Sequence, residues 1–260
     1  MLRISFIYFI ILLSSVMLCA FKIGPCWAGD NTTMSSKFET VRDDYRNFYL
    51  DKTNLIQFGL GLGAACVIAN TSTDREIRDF YMRNIKSDNT DRFSQVSRQP
   101  GEVFLTVPAL LGVYAFLGDA SAGNWAERSL RSIIVGIPGG LILQRAIGAS
   151  CPSDGGSGWK PFNDDHGLSG HAFIGAVPFI TAAKMNDNIY MKGAFYVLSL
   201  LPALSRINDD DHYFSQAALG WYLALLSCKA VEKGGKRGET AFLIVPAGRH
   251  GLAIVVGRSF

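Results

Sequence analysis

Residues 205–216, SRINDDDHYFSQ, form a short polar segment between two apolar ones. The segment is preceded by FYVLSLLPAL at 195–204 and followed by ALGWYLALL at 218–226. Apolar stretches of about 10 to 14 residues are more typical of buried core helices than of membrane spans. The pattern predicts two helices that pack in a bundle, with the charged residues in the turn that joins them.

Three further uncharged stretches extend this helical pattern, at residues 53–73, 103–118 and 132–144. Only the first reaches the ~20 residues that a membrane-spanning helix usually needs. Several are rich in glycine, and small residues let helices pack closely in water or in lipid. Near the end of the chain, the sequence predicts two strands, AFLIVP and GLAIVVGRSF, joined by a glycine-containing turn. We therefore expect an all-α helical bundle with a C-terminal β-hairpin at 240–260.

The first residues predict export. A charged start, MLR, precedes the apolar run ISFIYFIILLSSVMLCAF, and small residues surround a cleavage position after Ala28. Residues 1–28 are therefore interpreted as a signal peptide; the alternative is an uncut N-terminal anchor, because the run is long enough to span a bilayer. Residues 29–53 are polar and aromatic and predict an amphipathic lead-in helix, for which membrane contact and simple packing both stay open.

Composition limits the classes of function. A formal net charge of +3 is too small to indicate binding to nucleic acid. Cleavage of the leader would leave Cys66, Cys151 and Cys228, a scattered and odd set that argues against a disulfide framework. Cys151 is interpreted as a small buried residue. No Cys-x2-Cys or His-x3-His pair indicates a metal site, and we expect neither a metal nor a cofactor.

The polar segment at 205–216 and a second segment, SGH at 169–171, contain the residue types that phosphoryl transfer requires. Catalysis of that reaction consists mainly of positioning the group and neutralising charge on its oxygens. Arg206 supplies a fixed guanidinium, and Ser169 can cap a helix whose free N–H groups, with Gly170 allowing close approach, would face an anion. A histidine can attack phosphorus while a second one protonates the leaving oxygen, and we assign these roles to His212 and His171.

These residues resemble the superfamily of the type 2 phosphatidic acid phosphatases and vanadium haloperoxidases. Its signature is Lys-x6-Arg-Pro, then Pro-Ser-Gly-His, then Ser-Arg-x5-His-x3-Asp. The third block matches at Ser205, Arg206 and His212, and the second at Ser169, Gly170 and His171, with Leu168 in place of the proline. The resemblance covers residues from about 103 to 228, and it implies a helical bundle with these blocks at the ends of helices.

The first block is eroded in this chain. Alignment on Gly148 and Pro152 places Gln144 at the lysine position and Cys151 at the arginine position. Arg145 lies one residue away, and Lys160 follows in SGWKPF. We expect Arg145 or Lys160 to supply the positive charge that the block has lost.

Gln216 stands where the family has the aspartate that orients the nucleophilic histidine. Its spacing from His212 predicts that both side chains share one face of a helix. An amide oxygen can accept the imidazole N–H and set the tautomer, but it supplies no full charge to an imidazolium. The aspartates at 209–211 are candidates to compensate, and they are also what a solvated loop contains.

The resemblance implies an exported phosphatase that hydrolyses a phosphomonoester or pyrophosphate through a phosphohistidine. Apolar surroundings favour a lipid substrate such as phosphatidate, an isoprenoid diphosphate or lipid A phosphate, although a small phosphoester fits the same chemistry. The helical domain is expected at 54–232. We expect it to be membrane-associated with its site on the periplasmic side; a soluble periplasmic domain is the alternative, since the family includes both kinds. The sequence does not indicate an oligomeric state.

Other interpretations belong to different classes. Gln216, Gln144 and Cys151 also fit a catalytically weakened or inactive protein that binds a lipid phosphate. A vanadium-dependent haloperoxidase would hold vanadate on His212. Arg206 also fits a plain helix end paired with nearby aspartates, and His166 and His250 are interpreted as loop or surface residues without a role.

Overall fold

The computed structural model describes residues 31–118, 120–235, 240–247 and 251–258. The predicted leader at 1–28 lies outside them. Up to Gly235, the described chain forms nine α-helices, so the prediction of an all-α bundle is confirmed. The helices are α1 Asn31–Tyr49, α2 Lys52–Asn70, α3 Thr73–Asn84, α4 Asp88–Ser97, α5 Val103–Leu117, α6 Ser121–Ile147, α7 Gly170–Met185, α8 Ile189–Asn208 and α9 Phe214–Gly235, with a 3₁₀ turn at Gln99–Gly101. Strands β1 Thr240–Ala247 and β2 Gly251–Arg258 pair antiparallel after the last helix.

The core lies where α6, α7 and α9 meet. α9 packs against both of the others and also against α1, α2 and α8. Small residues set the spacing, because a Cβ at Gly136 of α6 would lie 2.4 Å from the ring of Phe173 in α7. Val135, Val177 and Leu223 are almost completely buried in this region. Because the three helices pack closely, the positions of their ends relative to one another are fixed. The candidate site is built from residues at such helix ends.

A long loop at 148–169 connects α6 to α7, and its start is set by a glycine. Gly148 has φ +63°, in the left-handed region that favours glycine at the end of a helix. A Cβ there would lie 2.0 Å from the carbonyl oxygen of Lys160, which a side chain cannot do. The loop therefore folds back on the end of α6, where the amide of Lys160 donates to the carbonyl of Ile147.

The N-terminal helix α1 is part of the bundle. Asp44 is fully buried and accepts two hydrogen bonds from Arg131 of α6, with Nε to Oδ2 at 2.7 Å and Nη2 to Oδ1 at 2.8 Å. Glu127 lies 3.2 Å from Nη1 of the same guanidinium. A buried pair is costly to break because it leaves an uncompensated charge, so it holds α1 in one position on α6.

Among the described residues, two helices are long and apolar enough to cross a membrane, by length and composition alone: α2 and α6. α2 keeps most of its apolar surface outside the core; Leu60, for example, is 69% exposed. α6 is half buried in the bundle. α4, with the 3₁₀ turn, and α5 pass the same test together but are bent by 55° where they join.

Asp74 of α3 caps the first turn of α9. Its Oδ1 accepts the backbone N–H of Ser215 at 2.9 Å, and its Oδ2 accepts the Ser215 hydroxyl at 2.5 Å. The carboxylate is fully buried, and burial raises its pKa in spite of these bonds. A helix start has free N–H groups, and here a carboxylate from a distant helix satisfies one of them.

Replacing Asp74 by alanine should lower the free energy of unfolding by about 2–3 kcal/mol, because the Ser215 N–H and hydroxyl would stay buried without an acceptor. Asp79→Ala on the same helix is the control; its side chain is exposed and makes surface ion pairs, so its loss should stay below about 1 kcal/mol. Denaturant unfolding of the solubilised protein measures both. Equal losses would contradict the capping role.

Candidate functional site

The turn after α8 fixes Arg206 relative to His212. The amides of Asp210 and Asp211 donate to the carbonyls of Ile207 and Arg206, which is the hydrogen-bond pattern of a Schellman helix end. Asp210 takes the left-handed position with φ +60°, which aspartate tolerates better than most residues. The amide of His212 also donates to the carbonyl of Arg206. This hydrogen bond fixes the two residues relative to each other at the end of α8.

Gln216 holds His212 at the start of α9. Its Oε1 lies 3.1 Å from Nδ1 of His212 and accepts the backbone N–H of Tyr213 at 2.9 Å. Its Nε2 donates to the carbonyl of Ser150 at 2.8 Å. A peptide N–H needs an acceptor and a carbonyl needs a donor, so these two contacts fix which end of the amide faces the imidazole. His212 must therefore donate from Nδ1, and its Nε2 keeps a free lone pair.

The N-terminus of α7 is attached to the same place. Ser169 is fully buried, and its hydroxyl accepts the N–H of Ala172 at 3.3 Å as the helix cap. Its own amide donates to the carbonyl of Gln216 at 3.1 Å. α9 approaches closely, because a Cβ at Gly220 would lie 2.3 Å from the Ser169 carbonyl oxygen. The first turn of α7 and the imidazole of His212 are thus both positioned by Gln216.

The space beside Gly170 is open. Gly170 is the first residue of α7, and a Cβ there would meet only Nε2 of Gln144, at an ordinary 3.6 Å. No left-handed φ requires glycine at this position. Packing within the described chain therefore does not require glycine here, and the open space leaves the first amides of α7 accessible to a ligand. Gln144 itself donates to the carbonyl of Leu168 and so braces the loop before the helix.

His171 is the second imidazole at this end of the bundle. Its side chain is partly exposed, and its Nε2 lies 3.5 Å from Oε1 of Glu102, just before α5. The 3₁₀ turn packs directly on its backbone, since a Cβ at Gly101 would lie 2.7 Å from the His171 carbonyl oxygen. The second histidine is thus held between the start of α7 and the corner that precedes α5.

Arg206 is mostly buried, with a side chain only 12% exposed. Its Nη2 pairs with Asp211 at 2.5 Å, and its Nη1 lies 3.9 Å from Asp209. Its Nε is buried and has no hydrogen-bond partner among the residues that the structure describes. The sequence also suggested that Arg206 is a plain helix end paired with nearby aspartates. That interpretation accounts for its two ion pairs but not for its buried Nε donor.

The three aspartates before His212 have other partners. Asp209 accepts the Ser94 hydroxyl at 2.6 Å, and Asp211 pairs with Arg206. Asp210 accepts a two-point contact from Arg78, at 2.6 and 2.5 Å. Among the described residues, none of these carboxylates hydrogen-bonds to His212, whose Nδ1 faces the neutral Gln216. They therefore do not orient the ring of His212.

The charge state of His212 reflects the groups gathered around it. Burial lowers its pKa from 6.5 to about 4, against the opposing effect of the Gln216 hydrogen bond. The positive charge of Arg206, and those of His166 and His171 when protonated, lower this pKa further. At neutral pH, His212 is therefore an uncharged imidazole.

The basic residues expected to replace the eroded first block are placed differently. Arg145 is 71% exposed and pairs with Asp165 at 3.2 Å. Lys160 lies exposed in the loop. Within the described chain, neither side chain hydrogen-bonds to Arg206 or to a histidine. Cys151 is buried, as expected, and its Sγ contacts Ser153 and Asp154.

His166 was missed by sequence reasoning. Its ring lies 5.9 Å from the ring of His212, centroid to centroid, and its Nδ1 lies 3.0 Å from Oδ1 of Asp164. With Asp165, these residues offer three potential metal-ligand atoms within 4.8 Å of one another. Asp164 already accepts the Asp165 amide, so the group is accounted for by its own loop hydrogen bonds. Its position five residues before His171 was the available signal, but only the folded loop brings it to His212.

Acid should destabilise this protein partly through His212. Its pKa is about 6.5 in an unfolded chain and about 4 in the folded one, so the unfolded chain takes up the proton first as the pH falls through this window. His212→Gln removes that contribution. We expect the loss of unfolding free energy between pH 7 and pH 4.5 to be smaller in the variant, measured by denaturant titration. Equal losses would contradict a neutral, buried His212.

No protein-family model, no curated protein and no solved structure matches the chain.

Proposed function

We propose that this protein is an exported, membrane-associated phosphatase with the chemistry of the type 2 phosphatidic acid phosphatases. Its substrate is a phosphomonoester or pyrophosphate, most favourably of a lipid. The observation that carries the proposal is the contact between Gln216 and His212, which leaves Nε2 of a neutral imidazole free beside Arg206. A neutral histidine with a fixed tautomer is a competent nucleophile.

The first step is attack on phosphorus by Nε2 of His212. The N–P bond forms as the P–O bond to the leaving group breaks, and His171, in its protonated form, gives a proton to the departing oxygen. Arg206 and the amides at the start of α7 carry the charge on the remaining phosphoryl oxygens. In the second step, water attacks the phosphohistidine, His171 takes the proton from that water, and inorganic phosphate leaves as the N–P bond breaks.

Gln216 acts as a positioning residue in this scheme. Its amide holds the ring of His212 and fixes the proton on Nδ1, while Ser150 and the Tyr213 amide hold Gln216 itself. It gives no negative charge to the ring when the phosphohistidine forms. We therefore propose a slower catalyst than one with a carboxylate at this position.

An exposed aromatic side chain near the second histidine supports a lipid substrate. Phe104, two residues after the Glu102 that faces His171, is 75% exposed. An acyl or isoprenyl chain attached to the bound phosphate would gain about 25 cal/mol for each Å² of such apolar area that it removed from water. The span-length helices α2 and α6 are consistent with placement of the protein at a bilayer.

Phosphate release from phosphatidate, undecaprenyl diphosphate and p-nitrophenyl phosphate tests the proposal, using the solubilised protein. His212→Ala should lower kcat by at least about 10³-fold for every substrate, because the nucleophile is lost. In the first step, measured by release of the leaving group in a single turnover, His171→Ala should cost about 10²-fold or more with phosphatidate but much less with p-nitrophenyl phosphate, since p-nitrophenolate leaves without a proton. Equal losses in that step with both substrates would contradict the role of His171 as the acid.

A binding protein without turnover is the second candidate. It is favoured by the neutral Gln216 and by the absence of a lysine or arginine at positions 144 and 151. It predicts saturable binding of phosphatidate in detergent, with phosphate release at the same rate in the wild type and in His212→Ala. The same preparations decide between the two functions.

Gln216→Glu gives the catalyst a full negative charge at the same reach. We expect a higher kcat by a few-fold to about tenfold, because a carboxylate stabilises the charged ring that forms on attack. We also expect a loss of stability of about 1–3 kcal/mol, since the Ser150 carbonyl would face another acceptor. Gln95→Glu, on the exposed face of α4, controls for added charge. A folded Gln216→Glu protein with unchanged or lower kcat would contradict the positioning role.

A further inference from the structure

A second guanidinium lies at the same end of the bundle as Arg206. Arg98 forms the C-terminal cap of α4, and its Nη1 lies 3.6 Å from Oδ2 of Asp209. Nη1 of Arg206 lies 3.9 Å from the same oxygen. Two arginines from distant parts of the chain therefore share one carboxylate oxygen, and Asp211 pairs with the other side of Arg206.

The hydrogen bonding of these three groups is incomplete. Nε of Arg98, Nε of Arg206 and Oδ2 of Asp209 are all buried and make no hydrogen bond within the described chain. A buried polar atom without a partner costs about 1–3 kcal/mol, and native structures contain few of them. The shared carboxylate oxygen does not satisfy either arginine, because at 3.6 and 3.9 Å it is an ion partner and not a hydrogen-bond acceptor.

The corner that carries Arg98 packs directly on the site. Ser94, one turn earlier on α4, donates its hydroxyl to Oδ1 of Asp209 at 2.6 Å, and the same oxygen lies 3.2 Å from the carbonyl of Ser205. Three residues after Arg98, Gly101 lies against the backbone of His171. Arg98 is thus held between the end of α8, which carries Arg206, and the start of α7, which carries the second histidine.

We propose that Arg98 is a phosphate-binding residue of this site and supplies, with Arg206, the second cation that a bound phosphoryl group needs. The inference rests on the proposed function. A phosphate monoester has three charged oxygens, and guanidinium groups bind such oxygens through paired N–H donors. The neutral Gln144 and Cys151 of the eroded block offer no such charge, and Arg145 is paired with Asp165. Arg98 provides the charge from another part of the chain.

The test is the affinity of the solubilised protein for inorganic phosphate, measured by calorimetric titration. Arg98→Gln should weaken binding by about 10- to 100-fold, the equivalent of a charged hydrogen bond of about 1.5–3 kcal/mol. Arg92→Gln is the matched control, because it removes the same charge from the exposed face of the same helix. Its affinity should change less than about twofold. Circular dichroism and thermal unfolding check that each variant is folded.

Arg98→Lys keeps the charge beside Asp209 but not the fork of donors. We expect it to fold as the wild type does and to bind phosphate more tightly than Arg98→Gln but less tightly than wild type. Wild-type affinity in both Arg98 variants, with weakened binding in Arg206→Gln, would overturn the inference and leave Arg98 as a partner of Asp209 only.

Turnover separates this inference from the proposed function. Phosphate binding that depends on Arg98, in a protein with no phosphatase activity, would support the inference and remove the catalytic proposal. Activity that needs His212 but not Arg98, with an unchanged KM for p-nitrophenyl phosphate in Arg98→Gln, would overturn the inference alone. Absence of phosphate binding in the wild type would overturn the Arg98 inference and leave both the phosphatase and the lipid-phosphate-binding interpretations without support.

Discussion

The buried side-chain amide of Gln216 is the constraint on which the candidate site depends. Its oxygen accepts from the Tyr213 backbone and faces His212, and its nitrogen donates to Ser150 in the loop after α6. Its backbone carbonyl accepts the amide of Ser169. One residue thus joins the start of α9, the start of α7 and the long loop. Because both ends of the amide are occupied, it has one orientation, and the imidazole it faces has one tautomer.

This arrangement gathers groups of different chemistry at one end of the bundle. The start of α7 at Gly170 presents helix N–H groups, and the end of α8 presents a guanidinium. The two histidines differ in environment: His212 is largely buried and neutral, whereas His171 is partly exposed beside a carboxylate. Two imidazoles in different surroundings can take different roles in one reaction, which is a common basis for acid–base pairs.

Contacts in the rest of the bundle hold these helix ends in position. Buried ionic side chains connect different helices, as with Asp44 and Arg131, and Asp74 from α3 caps the helix that carries Gln216. Such contacts are specific in direction, since a displaced partner would leave a buried charge or donor unsatisfied. By contrast, much of the outer surface of α2 is apolar, and apolar contacts do not depend on direction. The direction-dependent contacts therefore fix the positions of the helix ends that form the candidate site.

The sequence alone determined the helices and the order of the candidate residues, because both leave local signals. Apolar runs of helical length, the cap at Ser169 and the fixed spacing from Arg206 to His212 are all readable over short distances. The predicted pairing of Gln216 with His212 also depends on spacing, although His212 lies just before α9 and the contact is a side chain folding back over the helix start.

Only the tertiary structure decided which distant residues join them. Arg98 and Glu102 come from a corner about 100 residues before His212, and their contacts with Asp209 and His171 depend on how that corner packs against α7 and α8. His166 reaches the ring of His212 only through the fold of the loop at 148–169. Arg145, chosen from sequence for its charge, is paired with Asp165 instead. Charge can be read from a sequence, but the partner of a charge is set by chain packing over long separations, which leaves no local pattern.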